Sequence, residues 1–131
     1  MKVLALDYGR ARTGVAVSDP TGTIARPLCV VERAAEESGL QQLGNLIVEQ
    51  EVERVVVGLP LTLRGEHGEQ ARETERFVEA LGEITSVPVV TFDERFTTDL
   101  AEQARAGAPE DARAAAHLLS SYLVWSSGAR A

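Results

Sequence analysis

The stretch that most constrains this chain runs from Leu4 to Asp19. Two apolar, β-prone segments flank a short Gly/Arg turn, Leu4-Ala5-Leu6-Asp7-Tyr8-Gly9-Arg10-Ala11-Arg12-Thr13-Gly14-Val15-Ala16-Val17-Ser18-Asp19, which predicts an antiparallel hairpin. Side chains alternate across a strand, so Val3, Ala5 and Asp7 share one face of the first segment and Leu4 and Leu6 the other. Both faces are apolar until Asp7, the pattern of a central strand covered by helices on both sides. Asp7 is therefore expected at the rim of an α/β sheet, where ligands bind. A carboxylate taken out of water there needs a metal, a cationic partner or a hydrogen-bonding loop. The plainer alternative is that Asp7 caps the Gly9 turn.

Asp19-Pro20-Thr21-Gly22 reads as the next turn and Thr23 to Val31 as a third strand. Pro27 inside it cannot donate to a ladder, which predicts an edge position. Ala34 to Glu51 carries Leu40, Leu43 and Ile47 at helical spacing, and Arg54 to Gly58 reads as a short buried strand. A Gly/Pro-rich loop follows, Gly58 to Gly68, then a second helix with Ala71, Thr74, Phe77, Val78 and Leu81 on one side. Val87 to Phe92 is the last expected strand, ending in Asp93-Glu94-Arg95, and Pro109 opens a final helix reaching about Trp125, with a frayed tail from Ser126 to Ala131. Right-handed crossovers make the last two strands parallel. With the first strand central and parallel to both, Asp7, Gly58 and Asp93 arrive at one edge.

At 131 residues the chain is expected to form a single domain, 1–131, with a core of its own. Its 13 Lys and Arg against 20 Asp and Glu give a net charge of −7. No global field holds nucleic acid, so such a partner must be gripped locally by a few arginines and a bound metal. Cys29 is the single cysteine, which fits a reducing compartment. The apolar residues before Asp7 are too few for a signal-peptide core, and no run approaches membrane-spanning length. A cytoplasmic protein without membrane contact is the expectation.

In the final helix Asp111, Ala115, Leu118 and Tyr122 are spaced by four, three and four and share one face. Asp111 thus points inward from the first turn, where an acid also suits the helix dipole. Asp93 and Glu94 point to opposite faces, so one of them shares a face with Asp7. Glu94 is the preferred metal ligand and Asp93 the residue that holds the loop backbone, although periodicity leaves the choice between them open. Asp7, Glu94 and Asp111 would supply hard oxygen ligands of the kind that select Mg²⁺ or Mn²⁺. Two such ions about 3.5 to 4 Å apart activate a water and stabilise the leaving oxygen of a phosphodiester. A zinc site does not compete, since Cys29 is alone and His67 and His117 are far apart in sequence. The Gly58–Gly68 loop lacks the phosphate-loop pattern. His67 reads as a solvated loop residue rather than a proton carrier. Arg10, Arg12, Arg64 and Arg95 are the candidate phosphate contacts, with Arg95 also placed to neutralise Asp93 or Glu94.

Four blocks in order carry a resemblance: Asp7-x-Gly9-x-x-Arg12-x-Gly14-x-Ala16-x-Ser18-Asp19; Val57-Gly58-Leu59-Pro60-Leu61 with Gly65; Asp93-Glu94-Arg95-x-Thr97-Thr98; and Asp111-x-x-Ala114-Ala115 before Leu118-Leu119 and Tyr122-Leu123. Together they resemble the YqgF/RuvX family over nearly the whole chain. The resemblance implies an α/β, RNase H-like fold: a mixed five-stranded sheet in order 3-2-1-4-5, strand 2 antiparallel, with helices on both faces. It implies a bacterial cytoplasmic nuclease processing the 5′ end of the small-subunit ribosomal RNA precursor, or a Holliday junction resolvase in DNA recombination and repair. The family's acids map onto Asp7, Glu94 (or Asp93) and Asp111. Thr62 and Arg64 depart from the Asn and acid frequent in the family's loop, and Ala104-Arg105-Ala106-Gly107 is a short connection.

Structured nucleic acid, precursor rRNA or branched DNA, is thus the expected partner of a monomer or homodimer. Two symmetric cuts in a junction would call for a dimer. A rival class is a nucleotide-dependent module, because the Asp7-x-Gly9 hairpin also resembles the phosphate loop of the actin, sugar-kinase and chaperone ATPase superfamily. Those proteins close two such domains on the nucleotide. A catalytically silent ribosome-assembly factor is the third reading.

Overall fold

A computed structural model of the chain describes residues 1–97 and 110–128. The strands are β1 (Val3–Asp7), β2 (Arg12–Ser18), β3 (Ala25–Glu32), β4 (Arg54–Leu59) and β5 (Val89–Asp93), and the helices α1 (Glu37–Glu49), α2 (Glu69–Ile84) and α3 (Glu110–Gly128). A 3₁₀ turn, Glu94–Phe96, follows β5 directly. The sheet order is β3-β2-β1-β4-β5. β1 is antiparallel to β2 and parallel to β4, and β4 is parallel to β5. The expected sheet is present, and the strand containing Pro27 lies at its edge.

The two faces of β1 feed two cores. Leu4 and Leu6 pack with Val15, Val17, Val55 and Val57 under α1 and α2, whose Leu43, Ile47, Phe77 and Leu81 are buried. Val3 and Ala5 pack with Ala16, Val56 and Phe92 under α3, through Ala115, Leu118, Leu119 and Tyr122. Small residues dominate the second layer, which lets α3 lie close to the sheet; larger aliphatics fill the first.

Several boundaries differ from the sequence reading, each for a local reason. α1 starts at Glu37 rather than Ala34 because Arg33 adopts φ 48° and its carbonyl accepts the Glu36 N–H, closing a turn before the helix. Gly39, which reads as a weakness in a helix, is required there: a Cβ would meet the Arg33 carbonyl oxygen at 2.3 Å. β5 starts at Val89 because Pro88 has no N–H, while its carbonyl accepts from Val55 N–H. α3 continues past Trp125 to Gly128, and the Ser126 and Ser127 hydroxyls donate to the Leu123 carbonyl. The expected helix start at Pro109, the Ala104–Gly107 connection, Thr98 of the resemblance and the last tail residues 129–131 lie outside the described residues. No described helix is long and apolar enough to cross a membrane.

Candidate metal centre

Asp7 ends the central strand between two glycines. On one side its register partner in β2 is Gly14; on the other, Leu6 pairs with Val57, which puts Gly58 of β4 level with Asp7. All three project toward the α3 side of the sheet, the face of Val3, Ala5 and Val56. A Cβ on Gly14 would lie 1.8 Å from the Asp111 carbonyl oxygen. The first turn of α3 therefore rests directly on β2, beside Asp7. A Cβ on Gly58 would lie 3.0 Å from Glu94 Cγ and 3.2 Å from its Oε2, so the Glu94 side chain occupies the space that Gly58 leaves empty. The Glu94 side chain and the backbone of Asp111 come in beside Asp7 because both neighbours of Asp7 lack a side chain.

Alternation sorts the acid pair after β5. Phe92 is buried against α3, Asp93 turns to the other face, and Glu94 returns to the side of Asp7. The Asp93 carboxylate accepts from the Arg95 backbone N–H at 2.9 Å and is ion-paired with the Arg95 guanidinium at 2.6 Å, which holds it below the usual carboxylate range. Asp93 thus fixes the turn, as expected, and Arg95 neutralises Asp93 rather than Glu94. Arg95 also donates to the Leu63 carbonyl at 3.4 Å and lies against Gly65, at φ 81°, so it ties the Gly58–Gly68 loop to the end of β5.

The Gly9 turn is closed by Thr13: its hydroxyl donates to the Gly9 carbonyl and accepts from the Gly9 N–H, both at 3.4 Å. Asp7 therefore does not cap that turn. Among the described residues no hydrogen bond or ion pair reaches the Asp7 or Glu94 carboxylate. Burial, and then the nearby Asp111, push the Asp7 carboxyl above its ordinary value. Burial, then Asp7 and Asp93, push Glu94 up to about 7. Asp111, in contrast, meets Arg12 Nε at 3.3 Å. As the side chains stand, no three His, Cys, Asp or Glu groups among the described residues are close enough to enclose an ion.

Asp7 and Glu94 open onto a cleft of about 580 Å³, also lined by Tyr8, Arg10, Pro60 and, from α2, Glu69 and Glu73. Glu73 receives Arg10 through two bonds, Nε at 3.1 Å and Nη2 at 2.8 Å, and lies 3.5 Å from the Tyr8 hydroxyl. Tyr8 is stacked on Phe77 with ring centroids 4.5 Å apart. Sequence reasoning missed Glu69 and Glu73. Their signal was the i, i+4 spacing just beside the Ala71, Thr74, Phe77 stripe, which turns them to the margin of the buried face. Of the candidate phosphate contacts, Arg10, Arg12 and Arg95 are paired with Glu73, Asp111 and Asp93. Arg64 is exposed in the loop and has no such partner among the described residues. His67 faces Glu75 at 3.2 Å and does not line the cleft.

Comparison with known proteins agrees with this architecture. The family model described as "RuvX: Holliday junction resolvase" matches residues 1–124. A relative from Chloroflexus aggregans named "Putative pre-16S rRNA nuclease" is 50% identical over 101 residues, 77% of this chain and 71% of the relative. A Sulfurihydrogenibium relative of the same name is 44% identical over 104 residues, 78% of this chain and 70% of the relative. Among solved structures, Thermus thermophilus RuvC in complex with a Holliday junction superposes with a TM-score of 0.66, covering 96% of this chain and 94% of that one at 18% identity. That likeness establishes the RNase H-like fold. On the extent of the family match and the identity of these relatives, the chain belongs to the RuvX family.

Proposed function

We propose that this protein is a divalent-metal-dependent endonuclease that hydrolyses phosphodiester bonds in structured RNA, processing the 5′ end of the precursor of 16S rRNA in the cytoplasm. Asp7, Glu94 and Asp111 would hold Mg²⁺ or Mn²⁺. The observation that carries this reading is the pair Asp7 and Glu94: two half-buried carboxylates that crowd each other at the end of the central strand and line the cleft, with no cation from the described residues to neutralise either. Such an arrangement is unfavourable in an isolated protein and becomes favourable when a dication joins it. An all-oxygen donor set fits a hard ion.

When bound, the ion supplies Lewis-acid stabilisation of the phosphate and a water of lowered pKa. The chain's own contribution is placement. Asp7 is fixed by the centre of the sheet, Glu94 by the Gly58 gap, and the backbone of Asp111 by the seat of α3 on Gly14. Arg10, Arg12, Arg64 and Arg95 surround this end of the sheet and offer guanidinium groups to the nucleic-acid backbone. The relatives named as pre-16S rRNA nucleases support RNA as substrate.

The test is cleavage of a precursor rRNA fragment and, in parallel, a four-way DNA junction, by wild type and Asp7→Asn with Mg²⁺ and Mn²⁺ titrated. RNA cleavage that needs the metal and disappears in the variant supports the proposal. Undiminished cleavage by Asp7→Asn removes the mechanism, and cleavage of the junction alone, by a dimer in light scattering, assigns the protein to resolution instead.

A further inference from the structure

Arg10 and Arg12 leave the same turn and end on different acids with different grips. Arg10, itself 82% exposed, is held by two hydrogen bonds to Glu73, whose side chain is 21% exposed. Arg12 meets Asp111 through one contact at 3.3 Å, and the two side chains are 65% and 40% exposed. Arg12 and Gly14 lie two residues apart on β2 and so share a face. Gly14 carries the Asp111 backbone, so the Asp111 carboxylate, 40% exposed, is held at this corner, among the described residues, only by its contact with Arg12. It meets the Arg12 guanidinium and is near enough to Asp7 for its charge to be felt there. In this structure it takes the guanidinium, and the acids do not enclose an ion.

We propose that Arg12 is a positioning residue shared between Asp111 and a backbone phosphate of the nucleic acid, so that substrate binding releases Asp111 to complete the ion site beside Asp7. This rests on the metal-dependent reading above. An exposed, single-contact ion pair holds its partners by a factor of about five at most. A phosphate offers the same guanidinium a bidentate, charge-assisted partner and competes for it readily. Asp111, once released, is free to turn toward the dication. Metal and nucleic acid then bind with positive coupling, and the coupling is reciprocal. Arg10 does not share this role, because it is already held by two hydrogen bonds to the half-buried Glu73, which is not one of the proposed ion ligands.

The experiment is calorimetric titration of Mn²⁺ into the full chain, with and without a short RNA kept intact at 4 °C and checked by gel. Wild type, Arg12→Gln, Arg12→Lys and, as a control for general charge, Arg33→Gln are compared after circular dichroism shows each to be folded. For wild type, RNA is expected to tighten Mn²⁺ binding by roughly two- to fivefold. Arg12→Gln is expected to bind Mn²⁺ without RNA about two- to fivefold more tightly than wild type, with RNA adding nothing further. Arg12→Lys is expected to retain part of the coupling and Arg33→Gln all of it. Equal Mn²⁺ affinities for wild type and Arg12→Gln without RNA, or undiminished coupling in Arg12→Gln, overturn the shared role of Arg12 and leave the metal reading standing. Absence of Mn²⁺ binding by every protein, with or without RNA, overturns both.

Discussion

The backbone of Asp111 rests on Gly14: a methyl group at residue 14 would lie 1.8 Å from the Asp111 carbonyl oxygen. Gly14 is also the cross-strand partner of Asp7, so one missing side chain sets both the depth of α3 and the separation of the two acids. Gly14→Ala is expected to lift the first turn of α3 and destabilise the protein by about 1–3 kcal/mol, because backbone must move to relieve the overlap. Urea denaturation measures the loss. Unchanged stability would show that α3 does not sit on β2 as described.

Gly58 makes the complementary case. The atoms crowding its missing Cβ belong to the flexible Glu94 side chain, at 3.0–3.2 Å, not to backbone. Gly58→Ala is therefore expected to cost less than Gly14→Ala in denaturation while displacing Glu94. Mn²⁺ affinity should fall by tenfold or more, in line with the loss of a well-placed ligand. A variant with wild-type metal affinity would separate Glu94 from the ion.

The pH dependence of metal-free stability follows from the raised carboxyls. Glu94, moved from 4.5 to about 7 mainly by burial and then by Asp7 and Asp93, binds a proton in the folded state that the unfolded chain has already released. Asp7 is shifted in the same direction. Between about pH 4.5 and 7 the folded state holds more protons, so stability falls as pH rises through this window. Asp19, which accepts from the Thr21, Thr23 and Ile24 backbone, and the Arg-paired Glu73 and Asp93 have lowered values. Their contribution is lost only at more acidic pH. In chelator, thermal melts of wild type are expected to decline from pH 5 to 8, and Glu94→Gln is expected to flatten much of that decline. A wild-type melting temperature that rises over this range contradicts the assignment.

The same electrostatics make Asp7→Asn informative twice over. Removing one of two crowded carboxylates is expected to raise the metal-free melting temperature at pH 8 while abolishing Mn²⁺ binding. Gain of stability with loss of binding is the signature of a site held in an unfavourable charge state for function. Loss of both would identify Asp7 as a structural residue.

Much of this arrangement was legible in the sequence because it rests on alternation. The two-faced apolarity of Val3 to Leu6 marked the central strand, Pro27 marked the edge, and alternation required one of Asp93 and Glu94 to share a face with Asp7 without deciding which. The missing pieces are contacts between residues far apart in the chain. Nothing local to Gly14 says that a helix turn almost a hundred residues later will land on it, and nothing local to Gly58 announces the Glu94 side chain. The Thr13 hydroxyl, not Asp7, meets both the N–H and the carbonyl of Gly9, a contact that spacing does not encode. Glu73 lay hidden because α2 was read for its buried stripe and not for the margin of that stripe.

The most direct measurement is anomalous diffraction from crystals of the full chain soaked in Mn²⁺. A peak is expected at the end of β1, coordinated by Asp7 and Glu94, with the Asp111 carboxylate turned away from Arg12 toward it. Density free of any peak between these side chains, or a Mn²⁺ ion bound elsewhere while Asp7 and Glu94 stay bare, would contradict it.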